Sequence, residues 1–215
     1  MFRRLLLYTG QRATLPDQKV IGVDCHGGLA EHIIVAGRFA FRLPSQLDSA
    51  KSTPLLSSGL TVYAGILRAE LTEGSRVAVL GAGGLGHLAI QCLHEMGHSV
   101  TAFSHSPAKR ELIERLGGDL DSFVRMLKPQ GRLCLVASPL KQLALTGGLL
   151  NNSRRSIYGN YIGSRADTTH MLEFAAEHRI EAIVDVMPFA EVGEAIERVR
   201  RRDVRMGLVL ENPVA

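Results

Sequence analysis

The sequence predicts an α/β fold built on parallel strands, and three observations carry that prediction. An apolar run, Val77 to Leu80, leads into glycines at Gly81, Gly83 and Gly86. Apolar residues then recur at helical spacing, at Leu85, Leu88, Ala89, Cys92, Leu93 and Met96. A second β-prone run, His98 to Ser104, follows. Strand, tight turn, helix and strand in that order make a unit whose two strands lie parallel. The 215 residues, 46% apolar and 21% charged, suffice for the buried core of one or two globular domains.

The glycine spacing also points to a ligand. In a strand, turn and helix unit, Gly81 lets the chain turn sharply and Gly83 lets an anion approach bare backbone. Gly86 lets the helix pack closely on the strand. The start of the helix offers unpaired N–H groups and a dipole that favours negative charge, as a pyrophosphate requires. Gly81, Gly83, Gly84, Leu85 and Gly86 are therefore the candidate cradle of a dinucleotide.

The second strand indicates which dinucleotide. A site for NAD places a carboxylate near the end of this strand, where it binds the ribose hydroxyls. Here the chain reads Ser104, His105, Ser106, Pro107, Ala108, Lys109, Arg110, with no acid. Lys109 can neutralise a 2'-phosphate and the hydroxyls of Ser104 and Ser106 can donate to it, so the pattern favours NADP(H). Ser106 followed by Pro107 also suits the start of a helix over Pro107 to Leu116, a compatible structural role.

Other features exclude some function classes. Leu5, Leu6 and Leu7 follow Arg3 and Arg4 but stop at Thr9-Gly10, too short for a membrane span and without a cleavage pattern. No membrane partner and a cytoplasmic location are expected. Cys25, Cys92 and Cys134 lie far apart in apolar contexts and read as buried thiols, not as a zinc or disulfide framework. The net charge of +4 gathers in part at Arg198, Arg200, Arg201, Arg202 and Arg205. Glu194 with Arg198 and Glu197 with Arg201 have i,i+4 spacing, the pattern of a solvated helical face, and no nucleic-acid motif accompanies them. Among the eight histidines only His94 and His98 approach ligand spacing, and they read as surface imidazoles.

Several segments together resemble the medium-chain zinc-dependent alcohol dehydrogenases, in their NADP-using, cinnamyl-alcohol dehydrogenase-like branch. They are His26 to His32, Phe39 to Pro44, Thr53 to Tyr63, Gly81 to Gln91, Ser104 to Arg110, Leu127 to Val136 and Gly159 to Arg165. The resemblance implies a doubly wound, Rossmann-like parallel sheet plus the remnant of a GroES-like β catalytic lobe. It implies a lobe remnant over 1–50, an NADP-binding domain over 51–187 and a C-terminal return over 188–215. Thr61, Ala137, Ser138, Gly163 and Ser164 would lie near the nicotinamide, with Thr61 the one candidate for a catalytic role. On sequence alone Thr61 reads equally as an interior helical residue, and Gly163-Ser164 as a turn. The family's dimers often form through the last strand of the cofactor domain, here within Arg155 to Tyr161, so a homodimer is a candidate assembly.

Three departures from the family qualify these implications. The N-terminal motifs that hold catalytic and structural zinc have no counterpart. Ser57 stands where the branch has a zinc cysteine, and a hydroxyl that stays protonated is a poor zinc ligand, so zinc is not expected to bind. The cofactor domain is also shortened at Gly118-Asp119-Leu120, where the family carries a further strand, helix and strand. The strand lost there would pair with Val77 to Leu80, so either Leu133 to Ala137 moves in beside it or the sheet is marginal. The leading expectation is an NADP-dependent alcohol dehydrogenase or aldehyde reductase-like protein acting on small alcohols or aldehydes, truncated and lacking the metal. The alternatives are a zinc-free NADPH quinone or enone reductase and a non-catalytic nucleotide-binding remnant. A chain without most of its catalytic lobe should also expose apolar residues around Gly28 to Val35.

Overall fold

The structure, a computed structural model, describes residues 21–30, 32–103, 120–136, 142–201 and 203–212. These divide into two compact units. One comprises described residues within Thr61–Tyr161, the other those within Met1–Leu60 and Ile162–Ala215. The helix expected over Pro107 to Leu116, with Ser104, Ser106, Lys109, Ala137 and Ser138, lies outside the described residues.

The first unit contains most of helix α2 (Ser58–Arg68), strand β1 (Arg76–Leu80), helix α3 (Gly86–Glu95) and strand β2 (Ser99–Phe103). Helix α4 (Leu120–Met126), strand β3 (Arg132–Leu135), helix α5 (Gly148–Asn151) and strand β4 (Ser156–Gly159) complete it. The predicted strand, turn, helix and strand are all present, and β1 pairs with β2 in parallel, Arg76 opposite Ser99 and Leu80 opposite Phe103. Helix α3 forms because Leu88, Cys92 and Leu93 recur on one face, and all three are buried. It stops at Gly97, whose φ of 79° a side chain would resist.

Of the two alternatives for the sheet, the first is not found. Leu133 does not lie beside Val77: β3 pairs in parallel with β4, Leu133 opposite Ile157 and Leu135 opposite Gly159. Among the described residues β1 pairs with β2 alone. Side chains also tie α4 to the segment that leads into β4. Arg155 donates from Nε to the Leu127 carbonyl at 2.9 Å, which ties the start of β4 to the end of α4. Asp121 in the first turn of α4 accepts from the Thr146 N–H at 2.7 Å and its hydroxyl at 2.6 Å. The consequence shows in β1, where Arg76, Ala78 and Leu80 are exposed and Val77 and Val79 half-buried. A parallel strand covered on both faces would be buried along its length.

The other unit carries helix α1 (Ser49–Ser52), helix α6 (Arg165–His178), strand β5 (Asp185–Pro188), helix α7 (Val192–Arg200) and strand β6 (Leu208–Glu211). Strands β5 and β6 again pair in parallel, Asp185 opposite Leu208. Three parallel pairs with intervening helices establish the α/β class. Each pairing brings together residues roughly two dozen positions apart, about the span of one strand, helix and strand unit. In α6, Thr168, Met171, Leu172 and Ala175 share the buried face at helical spacing. In α7 the acidic and basic face is present but its pairs differ from the i,i+4 expectation. Arg201 reaches Glu194 at 2.8 Å, Arg200 pairs with Glu197, and Arg198 turns to Asp185 at 2.9 Å. The longer reach is possible because the guanidinium stem spans two turns, and Asp185 at the start of β5 is the less exposed partner for Arg198.

Leu29, Ile33, Ile34 and Val35 are exposed, Ile34 completely. Cys25 is a correction, since it is exposed and not buried, whereas Cys92 is buried and Cys134 half-buried. Cys25 belongs to a short turn closed by the Gly22 N–H on its carbonyl at 3.0 Å, a conformation that presents the side chain to solvent. No helix among the described residues is long and apolar enough to cross a membrane.

Candidate functional site

The candidate cradle is assembled where β1 meets α3. Gly81 takes φ +93°, a region that resists side chains, and its N–H donates to the Phe103 carbonyl at 2.8 Å. The turn is thereby fastened to the end of β2. Gly86 opens the helix so close to this turn that a Cβ would overlap the Gly81 carbonyl oxygen and fall 2.8 Å from its carbon. Gly83 shares neither constraint: its φ lies outside the left-handed region, a Cβ there would meet nothing within 4 Å, and the residue is exposed. Backbone conformation therefore demands glycine at Gly81 and packing demands it at Gly86, whereas neither does at Gly83, which faces open space. Gly84 and Leu85 complete the turn, and the Leu85 carbonyl accepts from the Ala89 N–H at 3.0 Å as the helix begins.

No side chain caps this helix start and its first turn holds no acid. The first N–H groups of α3 and the open Gly83 backbone together fit an anionic pyrophosphate. His87, which the glycine spacing does not single out, is the further polar group here. Its backbone N–H donates to the Gly83 carbonyl at 3.0 Å, and its ring Nδ1 lies 2.9 Å from the same oxygen. His87 is buried. Its position four residues after Gly83, one helical turn, is the sequence signal that would have found it.

Thr61 is buried in α2 and its hydroxyl donates to the Tyr161 carbonyl at 2.9 Å. It belongs to a set of bonds fastening α2 to the end of β4. The Asn160 amide donates to the Thr61 carbonyl at 2.8 Å, the Tyr158 hydroxyl to the Gly65 carbonyl at 2.9 Å and Arg68 to the Gly159 carbonyl at 2.6 Å. The Arg68 guanidinium also lies over the Tyr158 ring, 5.3 Å from its centroid. Helix and strand meet closely here, a Cβ on Gly65 falling 3.3 Å from the Cys134 sulfur. Burial pushes the Cys134 thiol pKa up, with the Tyr158 hydroxyl and the Arg68 charge pulling the other way. Burial likewise raises the Tyr158 phenol, which serves as a hydrogen-bond donor and not as a proton acceptor.

Gly163 and Ser164 belong to the other unit. A Cβ on Gly163 would fall 2.5 Å from Leu60 Cδ1, so this glycine is required by packing. Ser164 is the N-cap of α6. Its hydroxyl accepts from the Asp167 N–H at 3.1 Å while the Asp167 carboxylate accepts from the Ser164 N–H at 2.6 Å. This reciprocal box accounts for the helix start.

Ser57, at the position of the family's zinc cysteine, is exposed and its N–H donates to the Pro54 carbonyl at 3.3 Å. Among the described residues no three His, Cys, Asp or Glu side chains gather where they could hold a metal. His94 is exposed, and His98 is half-buried with its Nδ1 lacking a partner. Ser57 offers a hydroxyl where a zinc ion takes thiolate, imidazole or carboxylate ligands.

No protein-family model matches the chain. Individual proteins do. The chain is 35% identical over 220 residues to a probable formaldehyde dehydrogenase of Bacillus subtilis, covering 88% of this chain and 63% of that protein. It is 33% identical over 232 residues to cinnamyl alcohol dehydrogenase 7 of Oryza sativa subsp. japonica, covering 88% of this chain and 61% of that protein. A solved cinnamyl alcohol dehydrogenase of Sorghum bicolor superposes with a TM-score of 0.81 at 29% identity, covering 95% of this chain and 70% of that one. The chain therefore spans a little over three-fifths of the length of the curated relatives it matches. The B. subtilis match runs over 220 residues, whereas 88% of this chain is about 190. Over the part it spans, and with its parallel α/β architecture, the chain is thus similar to the medium-chain alcohol dehydrogenases, cinnamyl alcohol dehydrogenases among them.

Proposed function

We propose that this chain binds NADP(H) across Gly81 to Gly86 and is an alcohol dehydrogenase or aldehyde reductase-like oxidoreductase without the zinc-assisted step. The observation that carries the reading is the contrast among the three glycines. Two are imposed by the fold, and the third leaves bare backbone open at an uncapped helix start. A bound nicotinamide supplies or accepts the hydride. The chain's own part is to place the pyrophosphate on the α3 N-terminus and the 2'-phosphate against Ser104, Ser106 and Lys109. Thr61, Ala137, Ser138, Gly163 and Ser164 are assigned to the nicotinamide end on the family resemblance, and the substrate class is a small alcohol or aldehyde. Without a Lewis acid on the substrate oxygen, several kcal/mol of charge stabilisation are missing, so alcohol oxidation is slow.

Fluorescence titration with NADPH and NADH tests the cofactor reading. Tighter binding of NADPH is expected, and Lys109→Glu should reverse the preference by replacing a phosphate partner with a repelling carboxylate. No binding at millimolar NADPH overturns the reading in favour of a remnant that has lost the nucleotide. Metal analysis and an NADP-linked assay with a benzylic or cinnamyl alcohol test the rest. Turnover at an ordinary enzymatic rate by metal-loaded protein would overturn the zinc-free assignment, and quinone or enone reduction by metal-free protein would redirect the substrate class.

A further inference from the structure

We infer that His87 is a positioning residue for the nucleotide: its imidazole pins the Gly83 carbonyl and so presets the open backbone against which the pyrophosphate lies. The inference rests on the dinucleotide reading above. Gly83 has no side chain, and no protein atom lies within 4 Å of where its Cβ would be. The loop must therefore be fixed through its backbone. At one end this is done by the Gly81 N–H on Phe103. At Gly83 it is done by His87, whose backbone N–H and ring Nδ1 converge on one carbonyl oxygen at 3.0 and 2.9 Å.

A carbonyl oxygen only accepts, so Nδ1 must carry the proton in this contact. The helical N–H bond alone would leave the peptide unit free to tilt about it, and a second donor from the side removes that freedom. The need is large in this segment, since glycine loses more backbone freedom on ordering than any other residue and three glycines fall between Gly81 and Gly84. Fixing the peptide before the ligand arrives removes an ordering cost from binding. His87 is buried and its ring sits on the carbonyl, so it acts through Gly83 and not by touching the nucleotide.

The test compares the whole chain with three variants, reading NADPH affinity by fluorescence and stability by urea unfolding. His87→Leu keeps the apolar bulk and removes the donor; His87→Ala removes both; His87→Asn returns an amide N–H near the place of Nδ1. The expected result is roughly tenfold weaker NADPH binding in His87→Leu and His87→Ala and substantial recovery in His87→Asn, the scale of one net hydrogen bond. A long-range nitrogen–proton NMR spectrum of the free wild-type protein should show the His87 proton on Nδ1. His87→Leu binding NADPH as tightly as wild type, or stability lost with affinity unchanged, overturns the positioning role. Should His87→Leu fail to fold, equal affinities of His87→Ala and His87→Asn overturn it instead. Wild-type protein that fails to bind NADPH overturns the dinucleotide reading itself, an outcome distinct from the variants matching a wild type that binds.

Discussion

Replacing Gly86 and Gly83 by alanine separates what the fold demands from what the ligand demands. In Gly86→Ala the new methyl would overlap the Gly81 carbonyl oxygen and approach its carbon to 2.8 Å. Both are backbone atoms, so no rotamer change relieves the clash, and the turn and the helix must part. Parting them strains the Gly81 N–H bond to Phe103 and the two His87 bonds to Gly83. Overpacking costs about 1–3 kcal/mol and each hydrogen bond about 1 kcal/mol net, so a loss of roughly 3–4 kcal/mol is expected with partial relaxation. For a protein of this size that lowers Tm by about 10 °C. Gly83→Ala meets nothing within 4 Å and its φ lies outside the left-handed region, so stability should stay within about 0.5 kcal/mol. The methyl would nevertheless stand between backbone and pyrophosphate, weakening NADPH binding by roughly tenfold or more, about 1.4 kcal/mol. Urea unfolding and fluorescence titration measure the two effects. Gly86→Ala as stable as wild type would refute the steric reasoning. Gly83→Ala binding NADPH normally would refute the assignment of its open face to the pyrophosphate.

The capping box and the cysteines supply further expectations. Ser164→Ala should destabilise the protein by about 1 kcal/mol, read by urea unfolding, because the Asp167 N–H loses its acceptor while Asp167 keeps its own bond. A thiol reagent near neutral pH should label the exposed Cys25 in the folded protein and reach Cys92 only on unfolding. Burial pushes the Cys92 thiol up to about 12 from an ordinary 9.0. The unfolded chain therefore releases this proton at lower pH than the folded one. The stability gained by keeping Cys92 neutral is complete below about pH 9 and declines toward pH 12, by up to about 1.4 kcal/mol per pH unit. Cys92→Ala should remove that alkaline slope in urea unfolding, and an unchanged slope would assign it to other groups.

The sequence was most legible where local physics decides. The run Val77 to Leu80, the glycine spacing and the repeat through Leu88, Cys92 and Leu93 are each short-range signals, and β1, the turn and α3 occur where they point. Pairing is a long-range choice and was less legible. Apolar β3 could have joined either β1 or β4, and the bonds that accompany its pairing with β4, such as the Gln130 N–H on the Ser153 carbonyl, link residues far apart in the chain. His87 was missed because histidine carries no fixed role in a helix, and its place one turn after Gly83 gains meaning only with the contact of its Nδ1 on the Gly83 carbonyl. The arginines of α7 were correctly read as a paired face, yet Arg198 found Asp185 on a neighbouring strand, a partner that helical spacing does not reveal.

The three parallel pairs share a spacing that bears on how this chain folds. Each joins residues roughly two dozen positions apart, so each pairing closes a loop of about the same length. Loops this short favour early pairing, whereas the bonds between α2 and the end of β4, such as Thr61 with Tyr161, 100 positions apart, come later. Among the described residues β1 has a partner on one side alone, so its amides should exchange with solvent through local openings more readily than those of a strand flanked on both sides.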